Sequence, residues 1–132
     1  MLRRLQRISS YLWASPATAI GLCVALAARA GGASVRRVDG VLEAGGGALG
    51  RMARRSHFVA ITLGHVVVGI DETALAESRE HERAHVRQYE RFGPLFLPLY
   101  AASSLWAALR GGRMYWDNHF ERQARDACTP RA

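Results

Sequence analysis

The run His81-Glu82-Arg83-Ala84-His85 stands inside a stretch of helical period, an HExxH pattern on one helix. Residues four apart on a helix lie about one turn apart on one face, so both imidazoles can reach a single ion. Glu82 sits one position on, rotated about the axis, where it reaches a water at that ion rather than the ion itself. Zinc lowers the pKa of such a water towards about 7, and the carboxylate can take its proton as the water attacks a carbonyl. In a chain of 132 residues with five histidines the pattern arises by chance roughly once in a hundred. The plain alternative is a surface helix with two solvated histidines. Against it, His81 and His85 share a stripe with Tyr89 and Phe92 and so face inward, where unpaired imidazoles are costly and ligated ones are not. His81 and His85 are the expected metal ligands, Zn2+ the expected ion and Glu82 the expected general base.

Catalytic zinc usually takes three protein ligands and keeps one position open. Glu121, in Asp117-Asn118-His119-Phe120-Glu121, is the best third ligand. It follows His85 at a distance that lets a helix and a turn bring the chain back antiparallel. The competing role for the same carboxylate is a capping box, with Asn118 as N-cap and Glu121 three residues on. His119 and His65 are fallback ligands; His65, after Gly64 in a strand-like segment, suits a structural role better.

The length fits one domain, with or without an appended segment. At 49% hydrophobic and 22% charged residues, intrinsic disorder is excluded. Two cysteines, Cys23 and Cys128, exclude both a disulfide framework and a four-thiolate zinc site. All 18 basic side chains are arginine, and the net charge of +7 is unevenly placed. Residues 1–55 carry nine arginines against Asp39 and Glu43, whereas the remainder is balanced. Arg3, Arg4 and Arg7 precede an uncharged run from Tyr11 to Ala28, the arrangement of a signal peptide or signal anchor. Ala28-Arg29-Ala30 is similar to a small-residue cleavage site; the alternative is an apolar helix buried in a soluble core. Arginines that flank an apolar run suit a membrane surface rather than nucleic acid. Residues 1–30 are thus expected to form an apolar signal- or anchor-like helix, and residues 31–132 the functional domain.

Asp39-Gly40 between β-favouring residues signals a two-residue hairpin, and Gly45-Gly46-Gly47 opens a loop through Arg51, Arg54 and Arg55. His57 to Ile70 is rich in β-branched residues and broken at Gly64, which gives one bent strand or two short ones. A helix of about five turns should run from Thr73 to Gly93, where Pro94 stops it. Leu95 to Leu109 is uncharged and short for a membrane span, so a core or interfacial helix is expected. A last helix should run from about Asn118 to Ala127. Arg87, Gln88 and Glu90 are read as a solvated face. The expected class is α+β: a small antiparallel sheet, the HExxH helix, an apolar helix and a C-terminal ligand helix, preceded by the apolar N-terminal helix.

From Gly64 to Asp126 the chain resembles the gluzincin branch of zincin metallopeptidases, in which HExxH is followed by a ligand Glu on a downstream helix. More narrowly, HERAHVRQYERFGPLFLPLY with the later DNHFERQA looks like a small group of bacterial proteins that pair an apolar N-terminal segment with a minimal zincin core. The resemblance implies zinc on His81, His85 and Glu121, Glu82 as base, and a peptide or protein substrate. It also implies a place at the bacterial cell membrane, or export after signal cleavage. Many gluzincins carry an Asp four residues after the ligand Glu, where it orients a metal histidine. Here Arg125 stands there and Asp126 is one residue off, so another group must orient the imidazoles. In zincins a strand edge before the metal helix holds the substrate, and Ala60 to Val68 is the candidate. Tyr115, His119 and Arg122 are open candidates for the oxyanion donor. The alternative function is a non-catalytic membrane-associated protein that retains a structural or vestigial zinc site.

Overall fold

The computed structural model describes residues 2–130; Met1 and residues 131–132, at the ends of the two expected segments, lie outside it. The chain begins with α1 (Leu2–Ala30), followed by β1 (Ser34–Val38) and β2 (Val41–Gly45). The short α2 (Gly47–Ala53) leads into β3 (Ala60–Leu63) and β4 (Val66–Gly69). Then come α3 (Glu72–Phe92), a 3-10 turn (Gly93–Leu95), α4 (Phe96–Leu109) and α5 (His119–Cys128). The class is α+β, as the sequence led us to expect.

The expected hairpin turn forms. Asp39 and Gly40 take positive φ angles of 49° and 82°, which aligns Val38 with Val41 in a two-residue hairpin. Gly64, at φ 61°, is the first residue of the second tight turn, and His57–Ile70 therefore resolves into two strands, β3 and β4. The sheet is not antiparallel throughout. Its order is β1-β2-β4-β3, and β2 runs parallel to β4. A parallel neighbour needs a crossover, here α2 with β3; α2 occupies the segment expected to be loop. Both faces of the central strands are covered, which explains the unbroken apolar run Val66-Val67-Val68. Val66 and Ala44 pack under Ala25 and Ala28 of α1, while Val41 and Val67 pack under Leu75 and Val86 of α3.

α1 is therefore a layer of the fold as well as an apolar run. Its buried stripe is Ala14, Ala17, Gly21, Ala25 and Ala28, at helical spacing and all small, so its backbone approaches the sheet closely. On α3, buried Glu43 of β2 receives two hydrogen bonds from Arg79 (2.9 and 3.0 Å) and one from Arg83 (3.2 Å). α3 starts on Asp71, whose carboxylate accepts from Ala74 N at 2.8 Å, and ends at Gly93. Gly93 takes φ 54°, and a Cβ there would come within 2.5 Å of the Trp13 indole. Gly93→Ala is thus expected to cost about 1–3 kcal/mol from overpacking and positive φ together. Denaturant unfolding of the two chains checks this; equal midpoints would contradict the Trp13 packing.

Candidate metal centre

α3 presents His81 and His85 one turn apart, with their Nε2 atoms 3.2 Å from each other. α5 packs against α3 and brings Glu121 back onto them. Its Oε2 lies 3.1 Å from His81 Nε2 and its Oε1 3.3 Å from His85 Nε2. One ligand atom from each of the three residues can be chosen so that all lie within 4.8 Å of one another. Ligands about 2.0–2.1 Å from a tetrahedral zinc stand about 3.3 Å apart, close to the 3.2 Å between the two imidazole nitrogens and the 3.1 and 3.3 Å from each to its nearer carboxylate oxygen.

Glu121 is not a capping residue. Asn118 caps α5 alone, its Oδ1 accepting from Phe120 N at 2.8 Å, and Asn118 N donates to Tyr115 O. The Glu121 carboxylate points away from that cap into the site, only 3% exposed. The Tyr100 hydroxyl, from α4, donates to its Oε1 at 2.6 Å. Oε2 is buried without a hydrogen-bond donor. An acceptor so placed calls for a cation or a proton.

The tautomer of His85 sharpens this. The Gln88 side-chain amide donates to Phe120 O (3.1 Å) and Gln123 Oε1 (2.8 Å), so its oxygen is left to accept from His85 Nδ1 at 2.8 Å. With the proton on Nδ1, the Nε2 lone pair points at His81 and Glu121. A lone pair and a carboxylate oxygen face each other stably only with a positive charge between them. Two nitrogens, one carboxylate and an orphaned acceptor fit zinc. Without metal a proton takes that place. Burial pushes His85 down, but the hydrogen bond and charge of Glu121 outweigh it and raise its pKa. Burial likewise pushes Glu121 up, and the neighbouring His81 and His85 rings with the Tyr100 hydroxyl hold it well below the carboxylate range.

Glu82 lies off the ligand stripe, as expected, buried against β3. The Thr62 hydroxyl donates to its Oε2 at 2.6 Å, which fixes the carboxylate and leaves Oε1 uncommitted by that bond. β3 is an edge strand of the sheet, whereas β4 is paired on both sides. Of the expected substrate segment Ala60–Val68, only Ala60–Leu63 thus has a free edge. Tyr115 lies in the α4–α5 loop, where burial first and then the charge of Glu121 push its hydroxyl up to about 12. His119 and Arg122 are exposed. His65 stays out of the cluster, stacked on Tyr11 and paired with Glu90 at 2.9 Å. Two surface hollows, of about 390 and 200 Å³, run along α3 past Arg79, Arg83 and Arg87 and past Gln88 and Gln123, and neither is lined by His81, His85 or Glu121.

The solvated-face reading of α3 holds only for Arg87. Gln88 is buried between His85 and α5, and Glu90 holds His65. Gln88 supplies the orientation that Arg125 cannot, since Arg125 donates to Trp116 O and lies over the Trp116 ring. Asp126 is exposed, as its offset implied. Thr62, Gln88 and Tyr100 are the site residues sequence reasoning missed. For Thr62 and Gln88 a signal existed: one alternates inward on β3, the other stands seven residues after His81 on the ligand face. Gln88→Leu is expected to weaken zinc affinity about 10–100-fold with the fold retained. Competition with a chromophoric chelator measures it, and unchanged affinity would contradict the role. No protein-family model, curated protein or solved structure matches the chain.

Proposed function

We propose that the chain is a membrane-associated, zinc-dependent metallopeptidase of gluzincin type. The observation that carries this reading is that His81, His85 and the buried Glu121 carboxylate bring one ligand atom each to within 4.8 Å of one another, with Glu82 of the same helix held by Thr62. Zinc bound there supplies a Lewis acid that acidifies water and polarises a carbonyl. Glu82, held by Thr62, takes the proton of the attacking water and passes it to the leaving amine. Gln88 keeps His85 in its ligating tautomer, and Tyr100 keeps Glu121 turned into the site. The free edge of β3 pairs with an extended peptide as an added strand. Tyr115, half exposed beside Glu121, is the oxyanion donor best placed among the three expected from sequence.

Two helices are long and apolar enough to cross a membrane, α1 near the N-terminus and the α3–α4 unit. The finer reading is retention of α1 as an anchor to a bacterial cell membrane. Cleavage after Ala30 would strip Ala14, Ala17, Ala25 and Ala28 from two core clusters. The rival, a structural zinc site without turnover, draws on how tightly Gln88 and Tyr100 brace the ligands. Incubation of the zinc-loaded chain with a peptide library separates the two. Chelator-sensitive cleavage is expected; intact peptides from fully zinc-loaded protein would favour the rival.

A further inference from the structure

α1 and α4 are built inside out. On α4 the polar groups face the protein: Ser103 Oγ accepts from His119 N, Ser104 Oγ from Asn118 Nδ2, and Tyr100 donates to Glu121. Leu99, Leu105, Trp106 and Leu109 face outward, with Trp106 62% and Leu109 73% exposed. On α1 the small residues face the sheet, and Leu5, Ile8, Leu12, Cys23 and Leu26 form an exposed outer stripe with no charge. Small residues inward and bulky apolar residues outward is the arrangement of helices whose outer solvent is lipid. The two surfaces meet where half-exposed Trp13 packs on Gly93, next to exposed Leu95.

Charge identifies the lipid. α1 carries Arg3, Arg4, Arg7 and Arg29 and no acid. Arg110 lies over Trp106 and Arg113 over Trp116, in a loop that also exposes Met114 and Tyr115. Tryptophan with arginine is the composition of a helix or loop at an anionic headgroup layer. Geometry settles how the helices lie. α4, of 14 residues, is about 21 Å long against a hydrocarbon core of about 30 Å, and extending it back into α3 far enough to span would carry Glu90 and Arg91 into that core. α1 is long enough, but its inner stripe packs along the body from Ala14 to Ala28. An upright α1 would pull the Glu43–Arg79–Arg83 cluster and the His65–Glu90 pair into hydrocarbon.

We propose that α1 and α4 lie in the plane of an anionic bilayer surface by these outer faces, neither crossing it, and that the site acts on peptide segments held at that surface. The second half rests on the peptidase reading above. The inner face of α4 holds Glu121 through Tyr100, so the metal centre stands one helix thickness, about 10 Å, from the lipid-facing side. A segment emerging from the membrane reaches it past Tyr115, while a freely diffusing peptide gains nothing from the lipid.

The test uses the full chain with sealed phosphatidylglycerol/phosphatidylethanolamine vesicles and an impermeant maleimide added outside. In a Cys128→Ser background, Cys23 should label readily in solution and at least tenfold more slowly once those vesicles are added, with no slowing by phosphatidylcholine alone. With both native cysteines changed to serine, Arg4→Cys and Arg29→Cys should each remain reactive on vesicles. Protection of one end alone would mean a spanning α1, and an unprotected Cys23 would mean no lipid on this face. Protection in a dimer without lipid would mean a second copy covers it; each of the three overturns the proposal. Changing Arg3, Arg4 and Arg7 together to glutamine should weaken vesicle binding on the order of 100-fold. A lipid-tethered peptide should then be cleaved at least tenfold faster than its free counterpart. Equal rates overturn the substrate half, whereas cleavage of neither peptide overturns the peptidase reading and leaves the docking standing.

Discussion

Glu82→Gln is expected to keep one zinc per chain, keep its melting temperature within a few degrees and lose about 10²–10⁴-fold in kcat. The amide occupies the same volume and can still accept from Thr62, whose hydroxyl lies 2.6 Å from Oε2. It cannot take a proton. Because Glu82 is not among the three converging ligand residues, metal content should not respond. KM should change little, since the loss falls on the chemical step. Zinc analysis with steady-state kinetics on a cleaved library peptide separates the outcomes. A variant that loses zinc would make Glu82 a ligand, and one that keeps full kcat would remove the base from the mechanism.

Chelation is expected to have the second-largest effect, and its sign depends on pH. At free zinc a thousandfold above Kd, binding to the folded chain alone contributes about 4 kcal/mol, roughly a 15 °C shift for a domain of this size. The chelated chain should follow its protons instead. Glu121 is held below its ordinary 4.5, so its contribution is present above that value and lost as pH falls through the lowered one. His85 is raised above its ordinary 6.5, so its contribution is present below that value and lost as pH rises through the raised one. Stability of the chelated chain should therefore peak between about 4.5 and 6.5. The zinc-bound chain needs neutral imidazoles and should gain stability as pH rises through the same range. The gap between the two melting curves should widen from pH 5.5 to 8. Parallel curves would mean that the ion does not replace a proton on His85.

What the sequence made legible follows from how local each signal is. His81, Glu82 and His85 sit within two turns of one helix, and Asp39-Gly40 sits within one hairpin, so spacing alone exposes them. Glu121 was reachable because two histidines need a third ligand and it follows His85 at a spacing that lets the chain return antiparallel, although Asn118 also offered it a capping role. The parallel pairing of β2 with β4 depends on what α2 and β3 do between them, and no local pattern encodes it. Gln88 looked solvated beside Arg87 and Glu90 because its burial comes from α5, more than thirty residues away in sequence. Tyr100 was hidden in an uncharged run whose polar side turned out to face the protein. The role of α1 was written in the spacing of Ala14, Ala17, Gly21, Ala25 and Ala28, a small-residue stripe that the hydropathy of the whole run obscured.

The central claim is that one zinc ion is bound by His81, His85 and Glu121. X-ray absorption at the zinc edge of the purified full chain tests it most directly, with wild type beside Glu121→Ala. The expected result is one zinc per chain with two imidazoles and oxygen in its coordination sphere at about 2.0–2.1 Å, and weaker binding in the variant. A chain that binds no zinc, or zinc whose coordination is identical in Glu121→Ala, would contradict the account.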